Sequence, residues 1–444
     1  MSQLYCGAGR ANITPPEHLI PFQFGLAGAR YGKVHDELFV RAICFASDGQ
    51  RVLLVTFDLD KAPYPVEWLE RIEQETGIPA QNVLFLGIHT HTAPITGYRP
   101  FERFNFIENK PPEVQRGVRE YEAFVLKRLL EAVRQAVQVQ PARLGYGRGK
   151  CYINMNRCQR YRIKNEDGSV SQKVEVGFNG AGNVDHSLFV LRVENAQTGE
   201  PIALLTNYGV HCVAVFLNDC GDGTSFISGD IGGNTSQALE KEYPGAVAMW
   251  TSGPAGDVNP VQMVQTLYPD AVTGAPVERR LKGEQAADAL LTTTVGRHLS
   301  DIRAALDTVQ CTIDSAPLSA AIRWVSVPAS TTAMERPDEE PVYDTNYEIR
   351  LHLVKIGPLA FIGVDGEIYT SLGWAIQQAS GAQDTVVLSH DGSLLPNNPA
   401  YIFDDETLAV RRCCGGGLPG GRIYTQPGAV RDGLQEATRA LFRS

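Results

Sequence analysis

"VEWLERIEQETGIPAQNVLFLGIHTHTAP", Val66 to Pro94, places an amphipathic helix next to a buried strand and closes on two histidines. Apolar residues at helical spacing among charged ones predict a helix over Val66–Gly77, with Gly77 as its stop. "NVLFLGI" follows as a short apolar run, the pattern of a buried strand. The alternation recurs along the chain. "YEAFVLKRLLEAVRQAVQ" (Tyr121–Gln138) predicts a long helix, and "LFVLRVEN" and "PIALLTNYGVHCVAV" predict neighbouring strands joined by the turn "AQTGE". Strands interleaved with helices make the fold class α/β. No linker divides the chain, so one domain over residues 1–444 is expected. "NGAGNVDH", "LPNNPAY" and "GGGLPGG" read as functional loops, and Thr331–Tyr343 as an exposed excursion.

The chain is 43% apolar and 20% charged, with a net charge of −10. That balance suits a soluble globular protein and argues against nucleic acid or anionic membrane as a partner. No run approaches the roughly 18 apolar residues of a membrane span. The N-terminus lacks the basic head and apolar core of a signal peptide. Nine cysteines without paired CxxC spacing are expected as thiols of a cytoplasmic protein, the adjacent Cys413 and Cys414 included.

Six predicted strands run into polar residues: Asp58 and Asp60, His89 and His91, His211, Gly256-Asp257, Asp365 and Glu367, and His390 with Asp391. In open α/β sheets, sites assemble at strand C-termini because loops converge there on a rigid support. In "GIHTHTAP" (Gly87–Pro94), alternate residues of an extended segment share a face. His89 and His91 could therefore hold a metal, shuttle protons, or be polar residues where a strand leaves the core. Zinc uses neutral imidazoles and carboxylates, and a catalytic site keeps one position open. His89, His211 and Glu367 would supply such a set from three strand ends. A metallo-β-lactamase-type site would continue into Asp-His, whereas Thr92-Ala93-Pro94 follows. A TIM-barrel amidohydrolase, the structural alternative, would need later Lys, His, His and Asp residues that are not found. "GDIGGNTSQALEKEY" (Gly229–Tyr243) lacks the P-loop order and predicts a tight turn packing a helix beside the site, with Asn234 or Thr235 near its N-terminus.

The order of motifs resembles the catalytic domain of the neutral/alkaline ceramidases. "GAGRANITPP" (Gly7–Pro16), "TFDLD", "NVLFLGIHTHTAP", "INMNR" (Ile153–Arg157), "NYGVHCVAVFLND", "FISGDIGGNTSQALEKEYPG", "WTSGPAGDVNP", "VDGEIYTSLG" and "NPAYI" follow in family order over nearly the whole chain. The resemblance implies layered mixed β-sheets flanked by helices, and a zinc hydrolase of amide bonds. It places zinc ligands at His89, His211, Glu367 and Tyr401. It implies a substrate-contacting or proton-transferring histidine at His91 and a substrate-holding arginine at Arg157. Asp257 and Asp58 are candidates to support the zinc histidines from behind.

Two departures qualify the resemblance. The family's catalytic serine position falls on Asn259 in "GDVNPV". An amide side chain is no nucleophile, but it can hydrogen-bond a carbonyl or a developing oxyanion. Ser228 and Ser252 are read as loop or capping serines. The β-rich module that follows in full-length ceramidases is expected to be absent. The expectation is a zinc-dependent hydrolase that cleaves a small soluble amide by metal-activated water and is not a true ceramidase. A zinc esterase or lactonase, or an inactive ligand-binding homologue, are the alternatives. The expected partner is a small-molecule substrate, with no nucleic acid and no stable membrane association; no oligomeric state is implied.

Overall fold

The computed structural model describes residues 3–96, 107–330, 332–333, 339–382, 384–392, 401–410 and 424–443. Its largest sheet has eight strands in the order Val247–Ser252, Pro201–Tyr208, Ser187–Asn195, Gln140–Lys150, Tyr5–Asn12, Phe39–Ser47, Gln50–Phe57 and Val83–Gly87. A second sheet runs Asp384–Leu388, Leu359–Val364, Thr345–Ile356, Leu318–Ser330 and Tyr424–Thr425.

The two-residue period of a strand decides what each face meets. Ile43, Phe45, Val52 and Leu54 share one core with Val354, Ile356, Leu359 and Phe361 of the second sheet. Their neighbours Ala42, Cys44, Leu53 and Val55 pack instead under helices Pro65–Thr76 and Pro112–Ala136. Helices Asp230–Glu242 and Glu284–Leu306 cover the other half of the large sheet through Ile231, Leu239, Leu291 and Ile302. Helices Thr370–Ser380 and Ala429–Leu441 close the outer face of the second sheet through Leu372, Ile376 and Leu434. The architecture is helix, sheet, sheet, helix, with mixed strand directions. Both sheets are open, which removes the barrel alternative. Burial on both faces explains why "VLFLG" reads as a continuous apolar run.

Within the two large sheets three strand pairs are parallel: Gln50–Phe57 with Val83–Gly87, Pro201–Tyr208 with Val247–Ser252, and Leu359–Val364 with Asp384–Leu388. Each pair is joined through a helix, namely Pro65–Thr76, Asp230–Glu242 and Thr370–Ser380. A βαβ unit leaves both of its strand C-termini at one end, so the six polar strand ends are the two outlets of three such units.

The first helix matches its expected span and stops at Gly77, left-handed at φ 71°. The long helix starts earlier than expected, because Pro112 is well suited to a first helical turn. Val342 and Tyr343 are exposed, in keeping with an excursion there, while residues 331 and 334–338 lie outside the described residues. So do "GGGLPGG", Cys413, Cys414 and "LPNNPAY" up to its Tyr401. Cys6, Cys44, Cys151, Cys212, Cys220 and Cys311 are thiols as expected. Cys158 is disulfide-bonded, a correction to the all-thiol expectation, so cysteine usage carries no argument about compartment. Among the described residues, no helix is long and apolar enough to cross a membrane.

Candidate metal centre

The strand Val83–Gly87 delivers His89 in a left-handed conformation, φ 64°, which is uncommon for any residue but glycine. Its N–H is fixed on Leu59 O at 3.0 Å. The loop after the neighbouring strand comes so close that a Cβ on Gly87 would sit 2.8 Å from Asp60 O. That approach brings the Asp60 carboxylate to His89 Nδ1 at 2.6 Å, with the Asp60 carbonyl at 3.2 Å. Thr90 and Thr92 both donate their hydroxyls to Ser228 O, and His91 N–H donates to Cys212 O, so the His-Thr-His segment is anchored to two other loops.

His211 follows the strand Pro201–Tyr208, and its Nδ1 lies 3.0 Å from Val258 O. Glu367 follows Leu359–Val364 and reaches back so that its Oε2 is 3.0 Å from His211 Nε2 and 3.3 Å from His89 Nε2. His91 Nε2 is 3.1 Å from His89 Nε2. Tyr401 pairs with Glu367 across a two-residue parallel ribbon, and its ring stacks over His211 at 6.4 Å. A second ribbon joins "INMNR" to "GDVNP", pairing Asn259 with Met155. It sets Arg157 to donate to Asn259 Oδ1 at 3.1 Å, Gly256 O at 2.8 Å and Tyr401 OH at 2.9 Å. Gly256 packs against the Glu367 backbone, where a Cβ would come within 2.4 Å of the carbonyl.

The outer contacts decide the tautomers. A carboxylate or carbonyl beside Nδ1 demands an N–H there, so neutral His89 and His211 each carry the proton on Nδ1. Both Nε2 lone pairs then converge on Glu367, an arrangement that is repulsive without a cation between them. The ligand atoms of His89, His91 and His211 all lie within 4.8 Å of one another. His91 Nδ1 is buried with no hydrogen-bond partner among the described residues. The donor set therefore fits a metal ion, and the fit rests on this geometry. His91, expected on the substrate side, also belongs to the group that could hold an ion.

The electrostatics agree. Burial alone would lower the His89 pKa, but the Glu367 and Asp60 carboxylates outweigh it and push it up to about 9. A proton on His89 and a metal ion are alternative cations for the same pocket. Burial, aided by the Arg157 charge, takes His211 down to about 4. Burial and the His89 charge also hold His91 well below its ordinary value. Glu367, which burial would raise, is kept well below the carboxylate range by His89 and His211.

Asp60 supports the histidine pair where Asp58 and Asp257 were the candidates. The Asp58 carboxylate is spent on buried Arg41 and on Phe39 N–H, and Arg41 is shared with Glu240. Asp257 accepts from Asn156 and from Thr370, bracing the ribbon that holds Arg157. Ser228 behaves as a loop serine bonded to Asp36, whereas Ser252, expected in a loop, closes the strand Val247–Ser252 and donates its hydroxyl to Gly253 O. Asn234 bonds back to Asp230 O in the first turn of its helix, with Thr235 buried beside it. Asp230, unassigned from sequence, caps the backbone N–H groups of Ala214, Val215 and Ile231 and so secures the segment after His211. His390, noted only as a polar strand end, stacks on His89 with ring centroids 4.0 Å apart.

A mixed α/β scaffold thus brings three histidines and a carboxylate together at its strand ends, a group that could hold a metal ion. Residues 5–266 match the family profile described as neutral/alkaline non-lysosomal ceramidase, N-terminal. The chain belongs to that family, whose members are amide-bond hydrolases. The fold is shared with the crystal structure of neutral ceramidase from Pseudomonas aeruginosa, at TM-score 0.69 and 17% identity over 100% of this chain and 75% of that one. It is shared equally with a ceramidase complexed with C2, at TM-score 0.71 and 16% identity with the same coverage. No curated protein sequence matches the chain.

Proposed function

We propose that the protein is a zinc-dependent hydrolase that cleaves the amide bond of a small, soluble molecule and is not a true ceramidase. The observation that carries the reading is the convergence of the His89 and His211 Nε2 atoms on Glu367 with both Nδ1 atoms committed elsewhere. His89, His211 and Glu367 would hold the ion, with Tyr401 as the further ligand. Bound there, zinc supplies Lewis acidity and lowers the pKa of water from about 15.7 to roughly 7.

The chain's own groups supply the rest. His91 takes the proton of the attacking water and returns it to the departing nitrogen, a general acid–base role suited to an imidazole with an open Nδ1. Asn259 turns its Oδ1 to Arg157, which leaves its NH2 group, 3.3 Å from Met263 Sδ, to polarise the acyl carbonyl. Arg157 is buried among Tyr401, Asn259 and Gly256 O and orients a polar or anionic part of the substrate. Asn259 in place of the family's serine is the support for a changed substrate, because attack by water dispenses with the side-chain nucleophile.

The test is a screen of zinc-loaded protein against short N-acyl compounds, cyclic amides, lactones and ceramides of graded chain length, with product analysis. Acid plus amine from a short substrate is expected. Robust ceramide cleavage would overturn the substrate claim, and acid plus alcohol alone would move the reaction to an esterase or lactonase. On the best amide, Asn259→Ala is expected to lower kcat by about a hundredfold with little change in KM, the usual cost of one oxyanion donor. An Asn259→Ala enzyme with unchanged kcat removes that role.

A further inference from the structure

We propose that His390 is a positioning residue of the metal centre, setting the plane of the His89 ring while its backbone ties together the two segments that carry His89 and Glu367. The inference rests on the reading of the site as a metal centre. The rings of His390 and His89 are nearly parallel, 14° apart, with centroids at 4.0 Å. His390 N–H donates to Gly366 O at 3.3 Å, one residue before Glu367. Gly87 N–H donates to His390 O at 3.3 Å, two residues before His89. A single residue thus spans the outlets of both sheets. It is buried, 6% exposed, and held at φ 62°. Glycine adopts that backbone without steric cost, so a histidine there carries a penalty that its ring contact must offset.

Two contacts are needed to fix an imidazole ligand. The Asp60 carboxylate meets His89 at Nδ1 and sets the direction of Nε2, but a hydrogen bond tolerates a swing of the ring out of its plane. His91 and His211 meet the same ring at steep angles, 85° and 68°, with centroids at 4.6 and 4.8 Å, so neither lies parallel to it. His390 lies against the face and blocks that swing. The role depends on an aromatic face and not on the imidazole nitrogens.

The test is zinc affinity of the full chain, measured by competition with a chromophoric chelator, alongside Tm. His390→Gly keeps the backbone conformation and removes the ring. It is expected to bind zinc about ten- to a hundredfold more weakly, with no fall in Tm. His390→Phe keeps the stacked face and is expected to bind close to wild type. Wild-type affinity in His390→Gly would overturn the inference alone, as would His390→Phe binding as weakly as His390→Gly. A wild-type chain that takes up no zinc would overturn the functional reading and this inference with it.

Discussion

Glu367→Ala is expected to abolish zinc binding and hydrolysis together, lowering kcat/KM by about a thousandfold or more, or about 4 kcal/mol, while the chain stays folded. The carboxylate is the negative centre on which His89 and His211 converge, at 3.3 and 3.0 Å, and it is 4% exposed. Removing it leaves two imidazole nitrogens without the charge that balances a dication. Glu367→Gln separates charge from shape: it keeps the side-chain size and is expected to resemble the alanine variant in metal content. Zinc content after dialysis, activity on the best amide and circular dichroism are the measurements. Both variants retaining stoichiometric zinc and full activity would sink the metal assignment.

Asp391→Ala is expected to destabilise the fold by about 3–5 kcal/mol, because it strands buried positive charge. Asp391 Oδ2 lies 2.7 Å from Arg350 Nη2 and 3.1 Å from His352 Nδ1, and Oδ1 accepts from Phe85 N–H at 3.0 Å. Asp391, Arg350 and His352 are each 2% exposed or less. Burial alone would raise the Asp391 pKa, but Arg350 and His352 hold it below the usual carboxylate range. The sign follows from that depression. The stabilisation is complete above the unfolded-state value of about 3.9 and is lost as the pH falls through the lower folded-state value. Denaturant unfolding at neutral pH should show the loss in Asp391→Ala, and the acid part of the wild-type stability curve should flatten in the variant. A variant as stable as wild type at neutral pH would show that the Arg350 charge is compensated without Asp391, its bond to Gly392 O included.

The sequence by itself determined the strand and helix order and the His-Thr-His outlet, because those signals are local. Burial on both faces writes a strand as an apolar run, and a two-residue spacing keeps His89 and His91 together. The collinear motifs then carried His211, Glu367, Arg157, Asn259 and Tyr401, and the structure brings all of them to one end of the sheets. Only the tertiary structure decided which group supports which. Asp58 and Asp60 follow the same strand with the same parity, so periodicity cannot separate them. The chain bends after Phe57, spending Asp58 on Arg41 and sending Asp60 to His89. Tyr401 meets Glu367 through a ribbon of two residues, too short to leave a pattern. His390 reaches His89 from the other sheet, through a left-handed backbone that is uncommon outside glycine and leaves no periodic pattern in the sequence. Local patterns record what a residue needs from its own strand or helix; contacts between the outlets of separate βαβ units depend on how the two sheets stack.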